Sequence, residues 1–359
     1  MELTQGLQLM GAGFRAFDPA DRGAPVPAPD LAAEPDLAAE PEGFTVAMNG
    51  AVRIHFLDWG KPDTADVAVG VLLIHGLAQT AWSWAPVARR LRADAHVVAM
   101  DLRGHGLSDA PTEGYDRDQL AEDAIAVAEG AGVLAFANEP HAPGGHGGRA
   151  FVVAGHGYGA GVAAWTANAL GDRCAGLVLV DGGWTDLPAE TGMTPDEWLA
   201  AIGEPPDVLR SMGAWLADRE AFDPGTWSAD QERAARAEVV ETAAGRLKLA
   251  IHHHALAASV RALWTYRPAS VLPALEAEIV ALAARDDDAG RHLAGLRELA
   301  AARARARRTS IRAASFPGLG HNLMRHVPDA VAAAIRAAAA PPRDVAVDPP
   351  GDAAADTSG

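Results

Sequence analysis

The sequence predicts an α/β protein: a mostly parallel central sheet with helices on both faces, interrupted by an inserted helical cap. Three observations carry this. Short, continuously apolar runs recur along the chain, as expected of parallel strands buried on both faces. Helical patterns follow most of them, the alternation of a covered parallel sheet. One long stretch, 185–273, breaks that rhythm, being rich in Trp and mostly helical.

In chain order, strands are expected at 51–59, 68–74, 96–100, 151–154, 175–180, 278–283 and 309–316, and helices at 84–92, 117–134, 159–170, 288–308 and 328–340. The core therefore covers 44–184 and 274–340, with the cap at 185–273 between two sheet strands. Residues 1–43 read as a flexible lead-in: 18–43 are rich in Pro, Ala and acid and repeat PDLAAE in tandem. Residues 341–359 read as a disordered tail, and the Gly- and Pro-dense 139–149 as a surface loop.

Composition removes several function classes. The 359 residues carry 30 basic and 47 acidic side chains, a formal charge of −17. Such a chain repels phosphate backbones and anionic membrane surfaces, so neither nucleic acid nor membrane is expected as a partner. The lone Cys174 rules out an intrachain disulfide and a Cys-rich zinc site. The N-terminal residues lack the basic-then-apolar pattern of a secretory signal, and no apolar stretch nears the roughly 18 residues that span a bilayer. A cytoplasmic protein with no metal and no cofactor is the expectation, with oligomeric state open.

Three motifs carry chemistry. The first strand-loop, His75-Gly76, lets the backbone approach a ligand and turns the next amide, that of Leu77, toward a pocket as an oxyanion donor. In the second, Asp101 and Arg103 end a strand in DLRGHGLSD and read as a structural polar network. The third, Gly155-His156-Gly157-Tyr158-Gly159, joins a strand to a helix by a sharp turn. That is the layout of a nucleophile elbow, G-x-S-x-G.

The ordered set His75-Gly76, D-x-R-G-x-G-x-S-D at 101–109, the turn at 151–165, the acids at 286–288 and GHNLMRHVPDAV at 320–331 resembles the α/β-hydrolase superfamily, and within it the cap-bearing esterases, epoxide hydrolases and dehalogenases. The resemblance implies His321 as general base and Asp287, the match to the family's G-x-x-D, as the acid that orients it. Asp286 and Asp288 are alternatives, as is Asp181, which ends another strand. It also implies the backbone amides of Leu77 and Tyr158 as the oxyanion hole, with the Tyr158 side chain packed. The chain departs from the family at one place: Gly157 stands where the nucleophilic side chain belongs. Removing a triad nucleophile costs on the order of 10⁶ in turnover, which excludes a covalent route through position 157.

Three functions stay open. One is a hydrolase-like enzyme acting on a small apolar substrate through the His-Asp pair and oxyanion hole without a covalent serine, or a related cofactor-free lyase. The second is a non-catalytic binder of a small ligand. The third is a dinucleotide-binding protein, since Gly155-x-Gly157-x-x-Ala160 matches the loose fingerprint with Asp181 downstream. His252, His253 and His254 point three ways from a helix, poor metal geometry. The basic run at 303–308 reads as a solvated helix end. Trp82, Trp84, Trp184, Trp198, Trp215, Trp227 and Trp264 read mostly as packing residues, with an apolar pocket between core and cap as the alternative place for them.

Overall fold

The computed structural model describes residues 15–16, 37–48, 52–61, 69–134, 150–202, 211–243, 245–284 and 291–339. Their centre is a sheet of β1 (Arg15–Ala16), β2 (Glu42–Ala47), β3 (Arg53–Asp58), β4 (Val69–Ile74), β5 (Ala95–Met100), β6 (Ala150–His156), β7 (Gly176–Val180), β10 (Glu278–Ala284) and β11 (Arg312–Phe316). Their order is β1-β11-β10-β7-β6-β4-β5-β3-β2. Pairing is parallel from β1 to β5 and antiparallel where β3 joins β5 and β2 joins β3.

The central strands are apolar throughout because both faces are covered. Along β4, Leu72 and Ile74 enter one apolar layer with α2 (Arg117–Gly130), α3 (Tyr158–Leu170) and α10 (Arg291–Arg305). Val71 and Leu73 enter the opposite layer with α1 (Ala85–Leu91) and α11 (Pro328–Ala339). The predicted strands and helices of the core are all present, within a few residues at their ends.

Two regions differ from expectation. β2 starts at Glu42, inside the stretch read as a flexible lead-in, and β1 pairs with β11 at the far edge. β2 is largely exposed, so it carries no apolar run to betray it. Further, Arg89 donates to the Ala39 carbonyl and pairs with Glu40, holding that stretch against α1. Between β7 and β10 the chain forms α4 (Leu187–Thr191), α5 (Pro195–Ile202), α6 (Met212–Phe222), α7 (Ala229–Ala237), α8 (His253–Thr265) and α9 (Pro268–Val271). It also forms an antiparallel hairpin of β8 (Val239–Glu241) and β9 (Leu247–Leu249) that the helical reading did not contain. The loop at 139–149 and the tail at 341–359 lie outside the described residues.

The basic run corrects a second reading. Arg303 is fully buried, not solvated: its guanidinium donates to the carbonyls of Leu272, Leu275, Ala277 and Thr309. Several tryptophans pack rather than line a cleft. Trp84 and Trp184 are core residues. Trp215 and Trp264 donate their indole N–H groups to the carbonyls of Ala235 and Met193. No described helix is long and apolar enough to cross a membrane.

Candidate active site

The sheet topology sets where the site lies. From β4 the chain moves outward to β5, then returns across β4 to lay down β6 and β7 on the other side. The carboxyl ends of strands at such a reversal open a crevice between diverging loops. The loops after β4, β6, β7 and β11 meet there, carrying His75–Gln79, Gly157, Asp181 and His321.

The turn after β6 is built by its glycines. At Gly157 the backbone takes φ +52° and ψ −114°, a region that costs side-chain-bearing residues strain. A Cβ on Gly155 would collide with the Gly159 backbone, so strand and helix pack at a distance only glycine allows. A Cβ on Gly157 would point at His321, 3.0 Å from its Nε2. Thus the elbow aims its central position at the histidine, and Gly157 leaves that line empty of side chain.

His321 is held from its other ring nitrogen. Nδ1 lies 2.5 Å from Asp181 Oδ2, while Asp181 Oδ1 accepts from the Ala284 amide at 2.7 Å. Asp181 ends β7 at φ +45°, and its carboxylate is nearly buried while the His321 side chain is half-exposed. A carboxylate on Nδ1 fixes the imidazole with its Nε2 lone pair facing position 157. Among the described residues, the alternative acid Asp181 is the one in contact with His321. Asp286, Asp287 and Asp288 lie outside the described residues. With Asp181 committed to His321 and Ala284, and Gly155 packed on Gly159, the dinucleotide fingerprint is used for strand–helix packing.

Leu77 follows Gly76 in the loop after β4, and Tyr158 is the first residue of α3, where amides lack helical acceptors. The Tyr158 side chain is buried, as expected of a packed residue.

Sequence reasoning missed the side chains that tie these loops together. Gln79 Oε1 accepts from the Gly76 amide (3.1 Å) and faces His156 Nδ1 (2.9 Å), while its Nε2 donates to Asn322 Oδ1 (2.8 Å). His156 Nε2 reaches the His321 carbonyl at 3.1 Å, and the two rings stand 4.3 Å apart. One glutamine thus joins the loop after β4, the turn after β6 and the loop of His321. Burial, reinforced by the neighbouring His321, pushes the His156 pKa down to about 3, so it stays neutral. The available signal was a polar residue three places past His75-Gly76 and a histidine inside the glycine turn.

Beneath the site, Asp101 accepts from the Ala81 and Leu107 amides and pairs with His55 at 2.8 Å, and Arg103 grips Asp123 at 2.5 and 2.6 Å, the structural network expected. His105 is fully buried 5.1 Å from His75, and its Nδ1 faces the Arg103 carbonyl. Burial lowers its pKa to about 3. The unfolded chain takes up that proton near pH 6.5 while the folded chain does not, so stability falls as pH drops below that point. The loss is about 2 kcal/mol from this residue at pH 5. His105→Gln is expected to remove that part of the slope; urea unfolding at pH 7 and pH 5 checks it. An unchanged slope refutes the assignment. His252 and His254 sit at the start of α8 with rings 5.6 Å apart, and no cluster fit for a metal exists among the described residues.

The comparisons bear on the family and the fold. The sequence profile of the alpha/beta hydrolase family matches residues 71–334. A bifunctional esterase/perhydrolase of Acinetobacter calcoaceticus is 35% identical over 104 residues, 29% of this chain and 36% of that protein. A non-heme chloroperoxidase of Streptomyces lividans is 33% identical over 28% of this chain and 36% of its own length. The matches span about a third of these relatives. Among solved structures, E-2-(acetamidomethylene)succinate hydrolase superposes with a TM-score of 0.61 at 18% identity, covering 83% of this chain and 98% of that one. A thioesterase domain from the curacin biosynthetic pathway gives 0.61 at 19%, covering 82% and 99%. At those identities the likeness is one of fold. With the profile spanning most of the chain and the sheet, elbow and histidine loop in place, this protein belongs to the α/β-hydrolase family.

Proposed function

We propose that the protein is a hydrolase-like enzyme in which the His321–Asp181 pair acts as a general base without a covalent nucleophile. One observation carries the reading: His321 Nε2 faces the space above Gly157 at 3.0 Å from where a Cβ would stand. A water held there has its proton within reach of the Nε2 lone pair and its oxygen directed at a bound carbonyl. Asp181 holds the tautomer that keeps that lone pair free and stabilises the imidazolium formed when the proton moves. The amides of Leu77 and Tyr158 take the oxygen on which negative charge develops. The same base could instead remove a proton from the substrate itself, a lyase step with the same residues. The segment 185–273 serves as the cap that closes over a small, largely apolar substrate.

A binder reading draws on Gly157 itself, which supplies no nucleophilic atom. The two readings part on one variant. With a panel of p-nitrophenyl esters, His321→Ala is expected to lower turnover by about 10²- to 10⁴-fold, the usual contribution of a positioned base. Turnover that survives His321→Ala refutes the proposal; a parent chain that binds the esters and converts none supports the binder.

A further inference from the structure

The turn that follows β7 has to hold an unfavourable shape. Asp181 takes φ +45°, a left-handed conformation costly for a residue with a Cβ, and Gly182 and Gly183 come next, the latter at φ +85°. Two consecutive glycines give the backbone its greatest freedom just where the acid needs a fixed one. Close packing requires them: a Cβ on Gly182 would stand 2.6 Å from the Gly157 carbonyl oxygen, because the acid turn lies directly on the elbow. On the upstream side the sheet fixes the turn. The Asp181 amide donates to the Leu282 carbonyl at 2.7 Å, and the Ala284 amide donates to Asp181 Oδ1 at 2.7 Å.

The downstream side is held from the inserted segment. Tyr266, the residue after α8, donates its hydroxyl to the Gly183 carbonyl at 2.7 Å. The tyrosine is itself well fixed. It is 2% exposed, its ring stands edge-on to Trp165 of α3 at 5.4 Å, and a Cβ on Gly161 of α3 would lie 3.8 Å from it. Burial pushes its phenol up, so it stays an O–H donor at neutral pH. Its carbonyl accepts from Arg267 at 2.9 Å, and Arg267 reaches Asp186 at 3.6 Å, so the two ends of the inserted segment are tied together beside the acid turn. Tyr266 therefore touches both the helix that opens after Gly157 and the turn that carries Asp181. A phenylalanine would make the same ring contacts. What the hydroxyl adds is the bond to Gly183, two residues from Asp181.

We infer that Tyr266 is a positioning residue for the His321–Asp181 pair: by holding the Gly183 carbonyl, its hydroxyl keeps the turn that presents the Asp181 carboxylate to His321 Nδ1. The inference deepens the proposed function and rests on it for the pair's part in turnover, while the placing of the carboxylate is read without turnover.

The imidazole tautomer of His321 reports that placing. It is read by NMR in the full chain carrying nitrogen-15-labelled histidine, at about pH 8.5, where an ordinary imidazole is neutral and a carboxylate on Nδ1 favours the Nδ1–H form. The His321 signals are those missing from His321→Ala. Tyr266→Phe is expected to lower the ratio of Nδ1–H to Nε2–H tautomer roughly 2- to 10-fold, the equilibrium equivalent of one ordinary hydrogen bond. The kcat for p-nitrophenyl esters should fall by a similar factor with KM unchanged. Protection of the Ala284 amide against hydrogen exchange should fall relative to that of Val280 in the middle of β10. Trp264→Phe removes the Trp264–Met193 hydrogen bond on α8 and controls for a general loosening of that helix; it should keep the parent's tautomer ratio. A Tyr266→Phe protein with the parent's tautomer ratio and Ala284 protection overturns the inference, whatever its melting temperature. So does a ratio that Trp264→Phe changes equally, and so does a Tyr266→Phe chain that does not fold, which would make the hydroxyl a requirement of folding. A parent chain without esterase turnover counts against the proposed function alone, since the tautomer ratio still decides the role of Tyr266.

Discussion

Gly157→Ser is expected to raise p-nitrophenyl acetate hydrolysis by at least about 10³-fold and to leave an acyl adduct at position 157. The magnitude follows from the penalty for losing a triad nucleophile, on the order of 10⁶ in turnover, of which a reintroduced hydroxyl should recover a large part. The geometry is prepared for it. The turn already holds φ +52° at position 157, so the backbone need not move to accept the strained conformation of an elbow residue. The Cβ would arrive 3.0 Å from His321 Nε2, closer than a relaxed contact, so the ring must give by a few tenths of an ångström. It can: the His321 side chain is half-exposed and is tethered at Nδ1 and through its carbonyl. The strain does cost stability, so Gly157→Ser should melt somewhat lower than the parent. Adding His321→Ala should abolish the gain. A folded Gly157→Ser protein with no adduct and no gain would mean that the Leu77 and Tyr158 amides do not serve as an oxyanion hole.

Much of this site was legible in the sequence because its parts are local. His75-Gly76, the glycine-framed turn and Gly320-His321 each lie at the end of an apolar run, and a buried parallel strand leaves an unmistakable run. The acid was harder, because the choice depends on the sheet rather than on any local pattern. β7 and β10 are neighbours, and both end beside the loop of His321. Sequence placed acids after each, at 181 and at 286–288. The left-handed turn at Asp181, which swings the carboxylate onto His321, has no signature in a non-glycine residue. Gln79 escaped for the same reason: its three contacts come from Gly76, His156 and Asn322, and the last two lie far along the chain. β2 escaped because an exposed antiparallel edge needs no apolar face.

Arg303→Met is expected to cost about 4 kcal/mol or more of folding stability, a large share of the 5–15 kcal/mol of a typical domain. From its position in RARARR this arginine resembles its exposed neighbours, which contact solvent as a helix end should. Its own side chain turns inward. The guanidinium fork reaches the carbonyls of Leu272, Leu275, Ala277 and Thr309, joining the end of the inserted segment and the start of β10 to the α10–β11 connection. Burial lowers its pKa only to about 10, so the side chain is charged at neutral pH and its hydrogen bonds are the stronger, charge-assisted kind. Methionine fills the volume but leaves four acceptors unpaired. Arg303→Lys separates charge from geometry, because one ammonium cannot span acceptors arranged for a planar fork. It should recover only part of the loss. Denaturant unfolding of the two variants checks this, and equal stability of parent and Arg303→Met would show that the carbonyls find other partners. Because Leu272 and Leu275 lead directly into β10, loosening this anchor should also lower the protection of the Glu278–Ala284 amides in hydrogen exchange. That strand lies beside β7, whose end carries Asp181, so the ordering of the His321–Asp181 pair is expected to depend on an arginine well outside the site.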